Sequence, residues 1–273
     1  MKLQTFDPYP DLAPFVKGYW ELEVPAEMSS EKQRVVPEGT IEMAFILADD
    51  VKRYHSDTEY TLQPRAMVIG QVTEPFFVQP TGRVLSFAVS FYPYGFANFV
   101  DCPIGELTNK ATPISELFNP VEAAELEQAV RAAKDSSERI AAVENFLLGK
   151  LTESRVIDRV VQTTINALFD SKGQQSINRI LEDQPTTRRN LERKFARQVG
   201  MSPKQLGKVV RLQAALNMLL NQEERNLTKI AYDNEYYDQA HFTRDFKEFT
   251  GSNPKDFLKD EQLLLSTLFY SQD

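Results

Sequence analysis

Residues 186–212 read TTRRNLERKFARQVGMSPKQLGKVVRL, and residues 238–258 read DQAHFTRDFKEFTGSNPKDFL. Setting Leu191 on Phe242 also sets Arg193 on Arg244, Phe195 on Phe246, Gly200 on Gly251 and Pro203 on Pro254, each pair 51 residues apart. At about 100° per residue, Leu191 and Phe195 share one helical face with Val199 beside them, and Arg193 lies opposite, flanked by Arg189, Ala196 and Arg197. The second segment repeats the plan: Phe242, Phe246 and Phe249 on one side, Ala240, Thr243, Arg244 and Lys247 on the other. Thr186 or Thr187 suits the N-cap and Gly200 the stop. A single arginine face is most simply a solvated surface. A purely structural helix has no reason to repeat an outward arginine in register, so the duplication points to two reading heads along one DNA duplex.

The flanking sequence completes each unit. A short apolar segment precedes each basic helix, Ser176–Leu181 and Leu227–Tyr232, and Ala231 is small enough for tight packing between two helices. A tandem helix-turn-helix is therefore expected, with Pro203–Leu220 as the joining helix. Arginine can bond guanine O6 and N7, glutamine can bond adenine, and threonine or alanine can touch a thymine methyl. Cations nearby hold phosphates and set position rather than sequence.

The chain's net charge of −8 is uneven. Residues 1–150 carry 13 basic and 22 acidic side chains, residues 151–259 carry 18 and 14, and the segment from Arg188 to Arg211 carries eight basic against one acidic. Local field governs attraction to phosphate, so the acidic N-terminal half is expected to stay off the duplex. No long apolar run or signal pattern is present, which predicts no membrane partner and a cytoplasmic protein. One cysteine and two histidines exclude an intrachain disulfide and argue against a metal site. No nucleophile–base pairing or phosphate-cradling glycine loop is visible, so neither an enzyme nor a cofactor is expected.

Ahead of the helical region, Tyr19–Val24, Thr40–Leu47, YTLQ, Ala66–Gly70, PFFVQP and RVLSFAVSFYP are short apolar or alternating runs separated by turn signals. They read as strands of a barrel or sandwich. From Ile114 the period becomes helical: Val121–Lys134 after the Asn119-Pro120 start, then Ser137–Leu151, then Val156–Phe169. The expected organisation is a β-rich, cupin-like domain at 1–114, a helical connector at 115–152, and an all-α domain at 153–273.

Residues 176–258 resemble the DNA-binding module of AraC/XylS-type transcription regulators. The resemblance is carried by RNLERKFARQVGMSP, by RLQAALNML, and by TKIAYDNEYYDQAHFTRDFKEFTGSNP. It implies recognition helices in successive major grooves, with Arg189, Glu192 and Arg193 reading bases from the first unit. Gln239, Ala240, Thr243 and Arg244 would read them from the second. Glu192 could accept from a cytosine amine, although orienting Arg193 is its expected role. Arg188, Arg197, Lys204, Lys208 and Lys247 are the phosphate candidates. The family usually has glycine in each inter-helix turn. Here Pro185 and Glu235 stand at those places, so the first turn should differ in path, and Asn234 is expected to take the left-handed conformation in the second. His241 could bond a phosphate or cap a turn.

The first half resembles the β-rich domain often found ahead of such modules, through PFVKGYW, VVPEGTIEMAF, GQVTEPFFV and Phe87–Gly95. Related regulators bind an effector there and can form homodimers, and an activator would engage RNA polymerase. Its many aromatic residues either line an apolar pocket, with Trp20, Glu38 and Phe45 as candidate effector contacts, or fill a core. Strand alternation would turn Glu42 outward with Thr40 and Ala44. Cys102, before Pro103, reads as a lone buried thiol, with a redox or alkylation sensor as the alternative. The rival to a regulator is a ligand- or protein-binding module that has lost specific DNA binding.

Overall fold

The computed structural model describes residues 1–28, 31–151, 158–182, 184–221 and 226–259. Among the described residues ten strands come first: β1 Lys2–Phe6, β2 Val16–Val24, β3 Gln33–Val35, β4 Ile41–Ile46, β5 Val51–Tyr54, β6 Tyr60–Leu62, β7 Ala66–Ile69, β8 Phe76–Pro80, β9 Val84–Phe91 and β10 Ala111–Pro113. They form two antiparallel sheets, ordered β1-β2-β9-β4-β7-β10 and β3-β8-β5-β6. The short turn α1 (Ile114–Leu117) and the hairpin of α2 (Pro120–Ala132) and α3 (Ser136–Lys150) follow. Asn119 caps α2, its side chain accepting from the Val121 N–H, with Pro120 at the first helical position. Strands β1, β3, β5 and β10 add to those expected from periodicity.

Both faces of the larger sheet are covered, which explains its nearly continuous apolar strands. Ile41, Met43 and Phe45 of β4 join Phe87, Val89 and Phe91 of β9 in a core closed by Leu126, Val130, Val143 and Leu147 of the helical hairpin. The alternate residues Ala44, Ile46 and Ala88 pack instead with Val51, Phe76 and Val78 of the smaller sheet. Burial of each large apolar side chain contributes about 1.5–3 kcal/mol. Arg139 of α3, almost fully buried, donates to Glu21 of β2 at 2.7 Å, and the Tyr19 hydroxyl donates to Glu144 at 3.0 Å. Residues 115–150 are thus part of the N-terminal core and serve as more than a spacer between two bodies.

The helical region comprises α4 Arg159–Asp170, α5 Ile177–Leu181, α6 Arg188–Gln198, α7 Pro203–Leu220, α8 Leu227–Asp233, α9 Gln239–Thr250 and α10 Pro254–Phe257. The start of α4 expected at Val156 lies outside the described residues. Leu191, Phe195, Phe242, Phe246 and Phe257 are fully buried in one core around α7. The first half contributes Val36 and Tyr94 to it. No helix among the described residues is long and apolar enough to cross a membrane.

Candidate nucleic-acid interface and effector cavity

The sequence repeat is also a repeat of helix ends. Thr187 caps α6 by accepting from the Asn190 N–H, and Asp238, 51 residues on, caps α9 by accepting from His241. Gly200 and Gly251 follow with φ of 89° and 77°. Ser202 then caps α7 in a capping box with Gln205, and Asn253 caps α10, each followed by proline at the first helical position. Asn253 thereby does for α10 what Ser202 does for α7.

The two turns are not equivalent. In the second, Glu235 itself takes φ 52° while Asn234 stays at φ −104°, which corrects the expectation for Asn234. Asn234 is instead buried, its amide donating to the Ile230 carbonyl at 2.9 Å, so its side chain anchors the turn and the next residue bends it. An L-residue in that region is strained by about 1–2 kcal/mol, partly offset in any glycine replacement by the larger entropy loss of glycine. Glu235→Gly is expected to stabilise the chain by roughly 0.5–1 kcal/mol in urea unfolding; a destabilised variant would contradict this. Among the described residues of the first turn no residue has positive φ, and the turn closes through Gln184 N–H to Leu181 and Thr186 N–H to Gln184.

Arg189, Glu192 and Arg193 on α6 and Gln239, Ala240 and Arg244 on α9 are exposed, with Thr243 half-buried. Thr243 donates its hydroxyl proton to the Gln239 carbonyl, leaving its methyl group and the hydroxyl's acceptor side for other contacts, and Gln239 accepts from Thr228. Arg193 donates to Asn190 at 2.9 Å. Glu192 pairs with Arg188 at 3.1 Å, and the side chain that Arg193 bonds is Asn190. Among the phosphate candidates Arg188, Arg197, Lys204 and Lys247 are exposed. Lys208 is not available: its ammonium bridges Asp245 at 3.1 Å and Glu248 at 3.0 Å, tying α7 to α9. Burial favours its neutral form, but Glu248 and Asp245 outweigh that and hold its pKa above the usual lysine value. His241 stacks edge-on against Tyr236 and lies 3.7 Å from Asp245.

Sequence reasoning missed the contacts between the halves. Arg34 of β3 donates to the Thr250 carbonyl at 2.6 Å and to Ser252 at 3.0 Å, at the C-terminal end of α9. Thr108 donates to the Gly200 carbonyl at 2.7 Å, at the corresponding end of α6. Gly39 (φ 78°) brings the Pro-Glu-Gly turn against Leu206 and Val209 of α7, and Gln213 donates to the Pro37 carbonyl. Such tertiary pairs have no local signature. Lys194 meets Asp158 at 2.6 Å and ties α6 to α4. Burial raises the Asp158 carboxyl, but Lys194 and the N–H groups of Val161 and Val160 bring it below the ordinary value.

Between the two sheets lies a cavity of about 180 Å³, lined mostly by apolar side chains including Leu22, Ile46, Met67 and Phe76. Trp20 and Glu38 line it. Phe45 does not: it is buried on the opposite face of β4 with the helical hairpin, which corrects that assignment. Thr40, Glu42 and Ala44 face the cavity, contrary to the outward orientation expected of them. The alternation was right; the face taken to be solvent is the one the smaller sheet covers. Cys102 is only partly buried and packs at the edge of the hairpin core. Burial, together with Glu106 and Asp101, raises its thiol pKa.

Residues 185–260 match the model of a helix-turn-helix domain, and residues 4–113 match that of a domain of unknown function, DUF6597. No curated protein matches the chain. Among solved structures, ToxT from Vibrio cholerae is similar at 12% identity and a TM-score of 0.49, covering 97% of this chain and 100% of that one. A probable AraC family transcriptional regulator from Rhodopseudomonas palustris is 24% identical with a TM-score of 0.34, covering 37% of this chain and 96% of that one. The xylose-binding transcription activator xylR is 19% identical with a TM-score of 0.31, covering 45% of this chain and 38% of its own.

Proposed function

We propose that this chain, which carries an AraC-type helix-turn-helix domain behind a DUF6597 domain, is a DNA-binding transcription regulator reading two successive major grooves with α6 and α9. The observation that carries this is the repeated pair of capped amphipathic helices, each with its apolar face buried and an arginine, Arg193 or Arg244, exposed opposite it. Arg189, Arg193, Gln239 and Arg244 supply base contacts, with Glu192, Ala240 and the Thr243 methyl beside them. Arg188, Arg197, Lys204 and Lys247 hold phosphates; the surface pair between Arg188 and Glu192 is weak enough to yield to one. Both readers sit in one chain, so recognition requires no second copy.

The cavity between the sheets is the effector site in this reading. Its wall from Arg34 to Glu38 is the segment in which Arg34 bonds the end of α9 and the Pro37 carbonyl accepts from Gln213 of α7, so occupancy would be felt by the DNA reader. If the response is activation, RNA polymerase is the further partner.

Binding to duplex DNA, followed by fluorescence anisotropy, should weaken steeply with salt, with a log–log slope of about −0.9 for each phosphate neutralised. Arg197→Ala is expected to weaken all sequences alike and make that slope shallower by about one. Affinity indifferent to salt would contradict the proposed function.

A further inference from the structure

Glu42 stands where two spaces meet. It lines the apolar cavity between the sheets, and it also lines a wider cleft of about 560 Å³ between the β-rich half and α7. Trp20, Glu38 and Thr40 border both spaces in the same way. Glu42 is thus at the mouth of the cavity, with an apolar chamber on one side and a polar cleft on the other. Its Oε1 accepts twice, from Trp20 Nε1 at 3.0 Å and from the Ser90 hydroxyl at 2.9 Å. Among the described residues no donor reaches its Oε2. A carboxylate placed this way, orienting one oxygen through two fixed donors, presents the other as an acceptor to whatever enters.

The charges around the mouth decide which ligand that is. Arg34, the one cation of the cavity lining among the described residues, directs Nη1 to Thr250 and Ser252. Lys17, Lys172 and Asp7 stand in the outer cleft; Lys17 acts on Glu42 only through its field, and burial raises the Glu42 carboxyl above its usual value. Glu42 is half-buried, and keeping a partly desolvated carboxylate charged is made easier when a cation pairs with it. The chamber behind it is comparable with cavities of about 150 Å³ that accept benzene.

We propose that the cavity binds a small apolar cation, an aryl- or branched-alkylamine, with its ammonium on Glu42 Oε2 and its hydrocarbon body between the sheets. The proposal rests on the reading of this half as the effector domain and names the ligand class it takes. The bound head group would lie beside Gln213 and Asn217 of α7, which form the opposite wall of the cleft.

The test is calorimetric titration of the full chain with 2-phenylethylamine, 2-phenylethanol and 3-phenylpropanoate. The amine should bind, with the alcohol at least tenfold weaker and the carboxylate weaker still. Glu42→Gln keeps an acceptor for Trp20 and Ser90 and should weaken the amine about tenfold to a hundredfold, as loss of a charge-assisted bond does. It should leave the alcohol unchanged. Ala44→Leu, which fills the chamber, should remove binding of every probe. Equal binding of amine and alcohol, or an unchanged amine affinity in Glu42→Gln, would overturn the proposal. Preferential binding of the carboxylate, lost in Ala44→Leu, would overturn the amine class while leaving the effector reading standing. Binding by no probe overturns the amine class. The effector reading itself fails if Ala44→Leu, confirmed folded, also leaves DNA affinity and its regulation unaltered in cells.

Discussion

Arg193→Ala combined with Arg244→Ala is expected to abolish sequence-specific DNA binding without unfolding the protein. Both side chains are exposed on the faces opposite the buried Leu191–Phe195 and Phe242–Phe246 pairs, so truncation removes no core contact. A bidentate arginine–guanine pair is worth about 1–3 kcal/mol of discrimination. The two arginines sit on separate helices, so their losses should add. Together they should lower specific affinity by roughly 2–6 kcal/mol, about thirtyfold to more than ten-thousandfold. Non-specific binding should fall much less, because Arg197, Lys204 and Lys247 remain. Arg193 also donates to Asn190, so Asn190→Ala should give a smaller loss by releasing the side chain it holds. An unchanged preference in the double variant would remove both residues from base readout.

Gly173→Ala should have the largest effect on stability. Gly173 lies just after α4 with φ 72°, and a Cβ there would stand 2.2 Å from the Gly207 carbonyl oxygen and 2.9 Å from the Arg211 N–H nitrogen. Arg211 donates to the Gly173 carbonyl at 2.7 Å, so this point pins α4 to the joining helix. Left-handed strain of about 1–2 kcal/mol and overpacking of about 1–3 kcal/mol give an expected loss near 2–5 kcal/mol. That is a large fraction of a typical total stability. Because the obstruction is backbone on α7, the helix between the two readers must shift, and DNA affinity should fall with stability. Equilibrium unfolding in urea measures the first effect. A Gly173→Ala chain as stable as the parent would show that α7 does not depend on this approach.

Much of the helical half was legible because its signals are local. Pro203 and the residues that follow fix α7, whose ends at Pro203 and Leu220 coincide with those expected, and the Thr187 cap and Gly200 stop are set by side chains within a few residues. Lys208, a phosphate candidate in the sequence, is claimed by Asp245 and Glu248 from a helix some forty residues away, which no local signal announces. In the β-rich half, alternation separated the two faces of β4 correctly but could not say that both are covered. Hence Glu42 was assigned to solvent and Phe45 to the cavity, each on the wrong side. The links through Arg34, Gly39 and Thr108 were invisible because each depends on where the other half lies.

The most direct test of a two-reader regulator is selection of binding sites from random duplex DNA by the full chain at physiological salt. The expected product is an enriched motif of two elements with centres about one helical turn, roughly 10 base pairs, apart. Arg193→Ala alone should relax one element and Arg244→Ala alone the other. No enriched motif, or a single element untouched by either substitution, would contradict the account.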